Sequence, residues 1–322
     1  MWELSLWIFV HKIKTNFSAF QASPYWYALE CFEDQVTVYP NPLNLKSMEP
    51  QEAYLDINRR SWNSRVDAHY ASDFYKVKEF VEGACSLQSI ELEQLGDVRG
   101  LRILHVQCHF GQDSIALSRR GAEVTGVDFS EKAIAKAREL AELCGTKTRF
   151  VCCDVYDLPR HLDETFDVVF TSYGVLGWLP DLDRWASTLS RFLKPGGRLL
   201  LVEFHPVVWM FDDDFSKVQY RYMNSGPILE TQSGTYAEPG ADLTLQSMMW
   251  NHGLGDVTNS LIDNGLQIRS LREYDYSPYP CFRNTVEFEP GKFRIPHLGD
   301  QIPMVYSILA TTSLSTGGVR GK

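Results

Sequence analysis

From Leu101 to Phe204 the chain repeats one pattern: a short, strongly apolar segment, a turn, then a segment with apolar residues at helical spacing. RILHVQ (102–107) reads as a first strand, and QDSIALSRRG as the helix behind it, closed by Gly121. AEVTGVD (122–128) is a second strand; Ser130 caps the helix EKAIAKARELAELCG that follows, with Gly145 at its end. TRFVCCDV and FDVVFTSY (166–173) supply the third and fourth strands. The helix DLDRWASTLSRFL is stopped by Lys194-Pro195-Gly196-Gly197, and RLLLVEF (198–204) is the fifth strand. Strands that are apolar on both faces cannot leave one side in water. They specify a mostly parallel sheet with helices on both faces, a doubly wound α/β fold.

After Phe204 the pattern breaks. Residues 205–250 hold short alternating pieces (KVQYRYM, ILETQSG, LTLQSMMW) with turns at Ser225-Gly226 and Pro239-Gly240, and are expected to form a small antiparallel lid insertion. Residues 251–312 return to the first pattern with the helix GDVTNSLIDNGL and the strands QIRSLREYD and MVYSILATT, which bring the sheet to seven. Residues 48–204 then comprise a helical N-terminal segment, opening near Pro50, and the first half of the sheet. Residues 1–47 show no sustained period and are expected to be an arm or an upstream extension, with Met48 as an alternative start. Residues 313–322 are expected to be a disordered tail.

Composition excludes several functions. A formal net charge of −10 without a basic stripe repels phosphate backbones, so nucleic acid is not an expected partner. The seven cysteines form no C-x-x-C pair and several sit in apolar segments. Neither a zinc site nor a disulfide framework is expected, and a reducing cytoplasmic location is. No apolar run reaches the ~18–20 residues that span a bilayer, so stable membrane insertion is not expected.

A mononucleotide binds an open parallel sheet at the carboxyl ends of its strands, near the point where strand order reverses. The first strand-to-helix turn must bring backbone close to the ligand, and here it holds Gly111. An acid at the end of the second strand can accept from both ribose hydroxyls: Asp128. The third strand ends in Asp154-Val155, a carboxylate for an adenine amino group and an apolar wall for its ring.

With those positions fixed, RILHVQCHFGQDSIALSRRGAEVTGVDFS, FVCCDVYDLP, FDVVFTSYGVLGWLPDLDRW and LKPGGRLLLVEFHP resemble, in order, the motifs of class I S-adenosylmethionine-dependent methyltransferases. They are most similar to a bacterial branch of uncharacterised enzymes whose first motif reads QCHFG. The resemblance covers about residues 50–312 and implies a Rossmann-like fold, S-adenosylmethionine as cofactor and methyl transfer to a small-molecule acceptor. It implies ribose binding by Asp128, adenine binding by Asp154 and Val155, and further cofactor contacts at Gln107, Cys108, Gly111, Phe129 and Thr171. The departures lie in the first motif. His105, Gln107 and His109 stand where the family has an acid and two glycines, and only Gly111 of the glycine set survives. The pyrophosphate of a nicotinamide cofactor would need G-x-G-x-x-G, so a nicotinamide oxidoreductase is the weaker rival, and a non-catalytic S-adenosylmethionine-binding protein the stronger.

Methyl transfer needs a base only where the acceptor must lose a proton. The side chains after the fourth and fifth strands offer Tyr173, Glu203 and His205. His205 is preferred because its unperturbed pKa of ~6.5 lies near neutrality, and a hydrogen bond anchoring the lid is the equal alternative for it. His105, within the first strand, reads as a core histidine. Trp62 and Tyr75 lie in the helical segment that often closes over the cofactor in such enzymes, with core packing the preferred role for both. The lid and C-terminal loop add Trp209, Phe211, Tyr220, Tyr222, Tyr236, Trp250, Tyr276, Tyr279 and Phe282, which suggests an aromatic-lined acceptor pocket.

Overall fold

The structure, a computed structural model, describes residues 50–313 and two strand fragments, Cys31–Phe32 and Gln35–Val36, paired antiparallel with each other. The expected arm at 1–47, apart from those fragments, and the expected tail beyond Ser313 lie outside the described residues. The chain divides into two units, Met1–Ala53 and Tyr54–Lys322. The second carries the sheet.

Its strands are β1 (Arg102–Val106), β2 (Glu123–Asp128), β3 (Arg149–Cys152), β4 (Phe166–Ser172), β5 (Leu193–Phe204), β6 (Ile228–Ser233), β7 (Thr244–Met249), β8 (Gln267–Tyr274), β9 (Val286–Glu289), β10 (Lys292–Arg294) and β11 (Val305–Thr311). Its helices are α1 (Pro50–Ala71), α2 (Val77–Val81), α3 (Ser89–Leu95), α4 (Gln112–Arg119), α5 (Glu131–Leu143), α6 (Leu182–Arg191) and α7 (Leu254–Asp263). Seven strands form the main sheet in the order β8-β11-β5-β4-β1-β2-β3. β1 to β5 pair parallel, and β11 runs antiparallel between β5 and β8. The seven-stranded, mostly parallel sheet is the one the sequence pattern specifies. Strand order reverses between β1 and β4, which puts the crevice for a ligand at the carboxyl ends of those strands.

Residues on one strand alternate between faces, and each face has its own core. Leu199 and Leu201 of β5 join Leu104, Val106, Val169 and Trp185 in one cluster. Leu200 and Val202 join Ile103, Ile115, Phe170 and Val305 in the other. All four β5 residues are fully buried. Helix starts follow the expected chemistry where the polar cap is present: Ser130 Oγ accepts from Ala133 N at 3.1 Å and Asp181 Oδ1 from Arg184 N at 2.9 Å.

Three local readings change. β5 begins at Leu193, because Leu193 pairs with Phe166 before a register shift carries the strand past Gly196 and Gly197. The lid insertion is an antiparallel ribbon of β6 and β7, but KVQYRYM contributes only an isolated bridge between Phe211 and Val218. A second ribbon, β9 with β10, lies in the C-terminal part; Val286-Glu287-Phe288-Glu289 alternates, but over only four residues, all of them exposed.

Candidate functional site

At the carboxyl ends of β1, β2 and β3 a cleft opens to solvent. Gln107, Asp128, Phe129, Cys153, Asp154 and Val155 line it from the sheet side, with Val106 and Val127 at its floor. Tyr54, Leu55 and Asn58 of α1 and Trp178 and Leu179 of the loop after β4 complete the walls.

The β1-to-α4 turn sets the geometry. Gln107, His109 and Gly111 all have left-handed backbone, with φ of 60°, 51° and 78°. Left-handed backbone costs a non-glycine residue roughly 1–2 kcal/mol, so two of these three positions are strained. The glycine that survives is the one that cannot be replaced on steric grounds: a Cβ at 111 would lie 2.5 Å from the Phe150 ring. Gln107 and His109 use their side chains instead. Gln107 Nε2 donates to Val175 O at 2.9 Å, tying the turn to the loop after β4. Its Oε1 is buried and has no partner. The imidazole of His109 packs against Trp62, His69 and Tyr75.

Asp128 closes β2. Its Oδ2 accepts from His109 N at 2.8 Å and its Oδ1 from Ser130 N at 2.9 Å. Burial pushes its carboxyl up to about 6, although those amides pull the other way. Each oxygen still has a lone pair available to a ligand hydroxyl. Asp154 caps the 3₁₀ turn Val155–Arg160 by accepting from Tyr156 N at 2.7 Å, and burial raises its pKa too. Asn58 is fully engaged elsewhere: its amide exchanges two hydrogen bonds with the backbone of Met248 (2.8 and 2.9 Å), which staples α1 to β7.

Of the eight cofactor positions read from the sequence, Gln107, Asp128, Phe129, Asp154 and Val155 line the cleft; Cys108, Gly111 and Thr171 do not. The Cys108 thiol is buried and pushed well up by burial, so it stays protonated. Thr171 is fully buried and its Oγ1 has no partner. His105 is a core histidine, its Nδ1 2.8 Å from Ser114 Oγ and its pKa lowered by burial to about 3.

The three proposed proton acceptors lie off the cleft lining. Glu203 is wholly occupied by backbone: its oxygens accept from Gly174 N (2.5 Å), Phe204 N (2.6 Å), Val175 N (2.7 Å) and Leu176 N (3.0 Å). It thereby fixes the loop whose Val175 carbonyl holds Gln107. Tyr173 has φ 45°; its ring packs against Phe204 and Tyr279, and its buried phenol faces the buried carboxyl of Glu91. Burial keeps that phenol protonated. His205 accepts from Val207 N at Nδ1 (3.2 Å), and its Nε2 lies 3.0 Å from Glu273 of β8. Burial lowers its pKa and Glu273 opposes the shift.

The sequence points to this helical segment through Trp62 and Tyr75, whereas the α1 residues that line the cleft are Tyr54, Leu55 and Asn58. Asn58 was the available signal, a polar residue on the same helical face as Tyr54 and Leu55. The aromatic concentration of the lid resolves into separate jobs. Trp209 and Phe282 pack around Phe204, Trp250 packs on Tyr54, and Tyr220 bonds Glu230. Tyr236 packs beside His69 and Tyr75, and Tyr279 beside Tyr173.

Residues 103–197 match the methyltransferase-domain family. A demethylmenaquinone methyltransferase of Thermus thermophilus is 38% identical over 107 residues, 33% of this chain and 48% of that protein. The chain spans about half the length of the first curated relatives it matches. An uncharacterized methyltransferase of Synechocystis sp. is 32% identical over 154 residues, which is 47% of this chain and 70% of that protein. Among solved structures, one described as the conversion of a disulfide bond into a thioacetal group during echinomycin biosynthesis aligns with a TM-score of 0.50 and 18% identity. The alignment covers 81% of this chain and 94% of that one, a likeness of fold. With strand order, cleft and relatives in agreement, the chain belongs to the class I S-adenosylmethionine-dependent methyltransferases, and S-adenosylmethionine is its cofactor.

Proposed function

We propose that the protein transfers a methyl group from S-adenosylmethionine to a small-molecule acceptor, with the adenosine end of the cofactor held in the cleft between α1 and the ends of β1–β3. The observation that carries this reading is Asp128, buried at the end of β2 with two of its lone pairs fixed by backbone amides and the others facing the same cleft as Asp154 and Val155. The residues fit the group. Asp128 accepts from the ribose hydroxyls, Asp154 from the adenine amino group, and Val155, Leu179 and Tyr54 supply apolar walls for the ring. Gln107 Oε1, buried without a partner, is an acceptor for the ammonium of the methionine part. Phe129 borders the ribose position; Cys108, Gly111 and Thr171 shape the turn and the floor behind it.

When bound, the cofactor supplies an already activated sulfonium methyl. The protein's part is to align the acceptor and keep water out. Glu203 and the protonated Tyr173 act as positioning groups in this reading, and His205 anchors the end of β5 to β8. An acceptor that attacks with an available lone pair, or as a preformed anion, needs no base from these three.

Calorimetric titration with S-adenosylhomocysteine tests the binding half of the reading, which fails if wild type and Asp128→Ala bind equally or not at all. Incubation of the protein with methyl-tritiated cofactor in a cell extract tests the transfer half. Tight binding with no labelled product in any extract would favour a binding protein without turnover.

A further inference from the structure

Seven residues, about two helical turns, beyond Asn58 on α1 stands Arg65, only 5% exposed. Its guanidinium carbon lies 5.1 Å from the ring centre of Trp62 and 5.6 Å from that of Trp178, the residue that also lines the cleft. Among the described residues it makes no ion pair and no side-chain hydrogen bond, and its Nε is buried without a partner. The titratable groups that face it are the phenols Tyr75 and Tyr236 and the imidazoles His69 and His109. Both phenols are held protonated by burial, and their oxygens lie 2.5 Å apart in a hydrogen bond with each other. Burial and the charge of Arg65 keep both imidazoles neutral, and none of their four nitrogens has a partner. Among the described residues the group therefore holds one positive charge and no anion to balance it. Buried charges persist in proteins when they are paired, so this one calls for an anion beyond the described residues.

We propose that Arg65 is a carboxylate receptor beside the cofactor cleft, behind Trp178, with His69 and His109 as further hydrogen-bonding groups. A single guanidinium balances a monoanion, and its planar fork matches a carboxylate through two parallel hydrogen bonds. Indole faces on Trp62 and Trp178 leave the edge of the guanidinium as the place for such bonds. A phosphate dianion would need a second cation, and the group has none. The inference rests on the cofactor placement above, because Trp178 and the Gln107–His109 turn connect this group to the cleft. Two molecules can bring the carboxylate: the cofactor, through its amino-acid end, or the acceptor.

Four ligand arms separate the sources. S-adenosylhomocysteine and 5′-methylthioadenosine share the adenosine and the thioether, and only the first has a carboxylate. Both are titrated into wild type, Arg65→Gln and Arg65→Lys; benzoate and the uncharged benzamide are then tested as stabilisers of each protein saturated with S-adenosylhomocysteine. If the cofactor supplies the carboxylate, Arg65→Gln weakens S-adenosylhomocysteine roughly 10- to 100-fold, leaves 5′-methylthioadenosine unchanged, and Arg65→Lys recovers part of the loss. If the acceptor supplies it, both nucleosides bind all variants alike, and benzoate, but not benzamide, raises the melting temperature of wild type and not of Arg65→Gln. Ligand-free Arg65→Gln should melt no lower than wild type, since the substitution removes an uncompensated buried charge. Should it fail to fold, Arg65→Lys alone decides, through a selective loss for S-adenosylhomocysteine or a lost response to benzoate. The proposal is overturned if Arg65→Gln loses both nucleosides equally, or if neither nucleoside nor benzoate distinguishes it from wild type. Wild type that binds neither nucleoside would instead overturn the cofactor placement.

Discussion

The cleft at the ends of β1–β3 and the polar group around Arg65 are built in opposite ways. Where the adenosine is proposed to bind, the carboxylates already have protein partners: Asp128 accepts from two amides and Asp154 from one. Around Arg65, off the cleft lining and behind Trp178, the buried polar atoms stand alone. Both nitrogens of His69 and of His109 and the Nε of Arg65 have no partner among the described residues. Buried polar groups in folded proteins are nearly always paired, and an unpaired one costs about 1–3 kcal/mol. The adenosine end is thus preorganised and loses little on receiving a ligand. The Arg65 group carries a cost that the proposed carboxylate would relieve.

The largest expected effect breaks the preorganised end. Asp128→Ala removes a charge-assisted acceptor from each ribose hydroxyl, each worth ~1.5–3 kcal/mol, so S-adenosylhomocysteine affinity should fall by roughly two to four powers of ten. Calorimetry reads it directly, and an unchanged dissociation constant would remove Asp128 from the site. Next comes Gly111→Ala. The new methyl would sit 2.5 Å from Phe150 on a backbone with φ 78°, so overpacking and left-handed strain combine to about 2–4 kcal/mol. A lowered melting temperature is expected, and an unshifted one would show that Phe150 moves aside freely.

A smaller effect is a pH dependence that belongs to the adenosine end alone. Burial raises the Asp128 carboxyl from 3.8 to about 6, so the folded, ligand-free protein favours the protonated form. The stability this group contributes is present below pH ~4 and is lost as pH rises through about 6. Binding to ribose hydroxyls needs the ionised form. Affinity for S-adenosylhomocysteine should therefore be level above pH ~6 and fall up to about tenfold per unit below it. Asp128→Asn should bind more weakly and without that acid limb. A wild-type affinity that is flat down to pH ~5 would contradict the assignment.

The same contrast divides what the sequence discloses from what it conceals. β1 to β5 are legible because each is apolar on both faces, and Ser130 announces the start of α5. Asp128 is legible because a strand of known direction puts its last residue at the crevice. The Arg65 group is assembled from α1, the Gln107–Gly111 turn and the lid, through contacts between residues as distant in sequence as His69 and Tyr236. No local period encodes such a meeting. The replacement of two glycines by Gln107 and His109 marked the turn as unusual, but the left-handed backbone they retain, and the partners their side chains find, required coordinates. Glu203 misleads for a related reason. It occupies the expected edge of the sheet, while four amides that no sequence pattern reveals take up its oxygens.

The smallest effect concerns His205, and it tests whether the edge between β5 and β8 belongs to catalysis. His205 N donates to Met304 O at 2.9 Å and its ring lies between Tyr306 and the half-exposed Glu273, away from the cleft lining. Its folded pKa is lowered by burial, so the neutral ring contributes stability above pH ~6.5 that is lost as pH falls through the lowered value. Because Glu273 is half exposed to solvent, the contact between them is worth at most about 1 kcal/mol. His205→Gln should leave S-adenosylhomocysteine affinity unchanged and lower the melting temperature by a few degrees at neutral pH. With any acceptor that turns over, the shape of the pH–rate profile should stay as in wild type. A rate lower by ~10²–10⁴-fold, with the acid limb of the profile abolished and melting unaltered, would mark His205 as a general base. The cleft would then have to extend past Tyr173 to reach it.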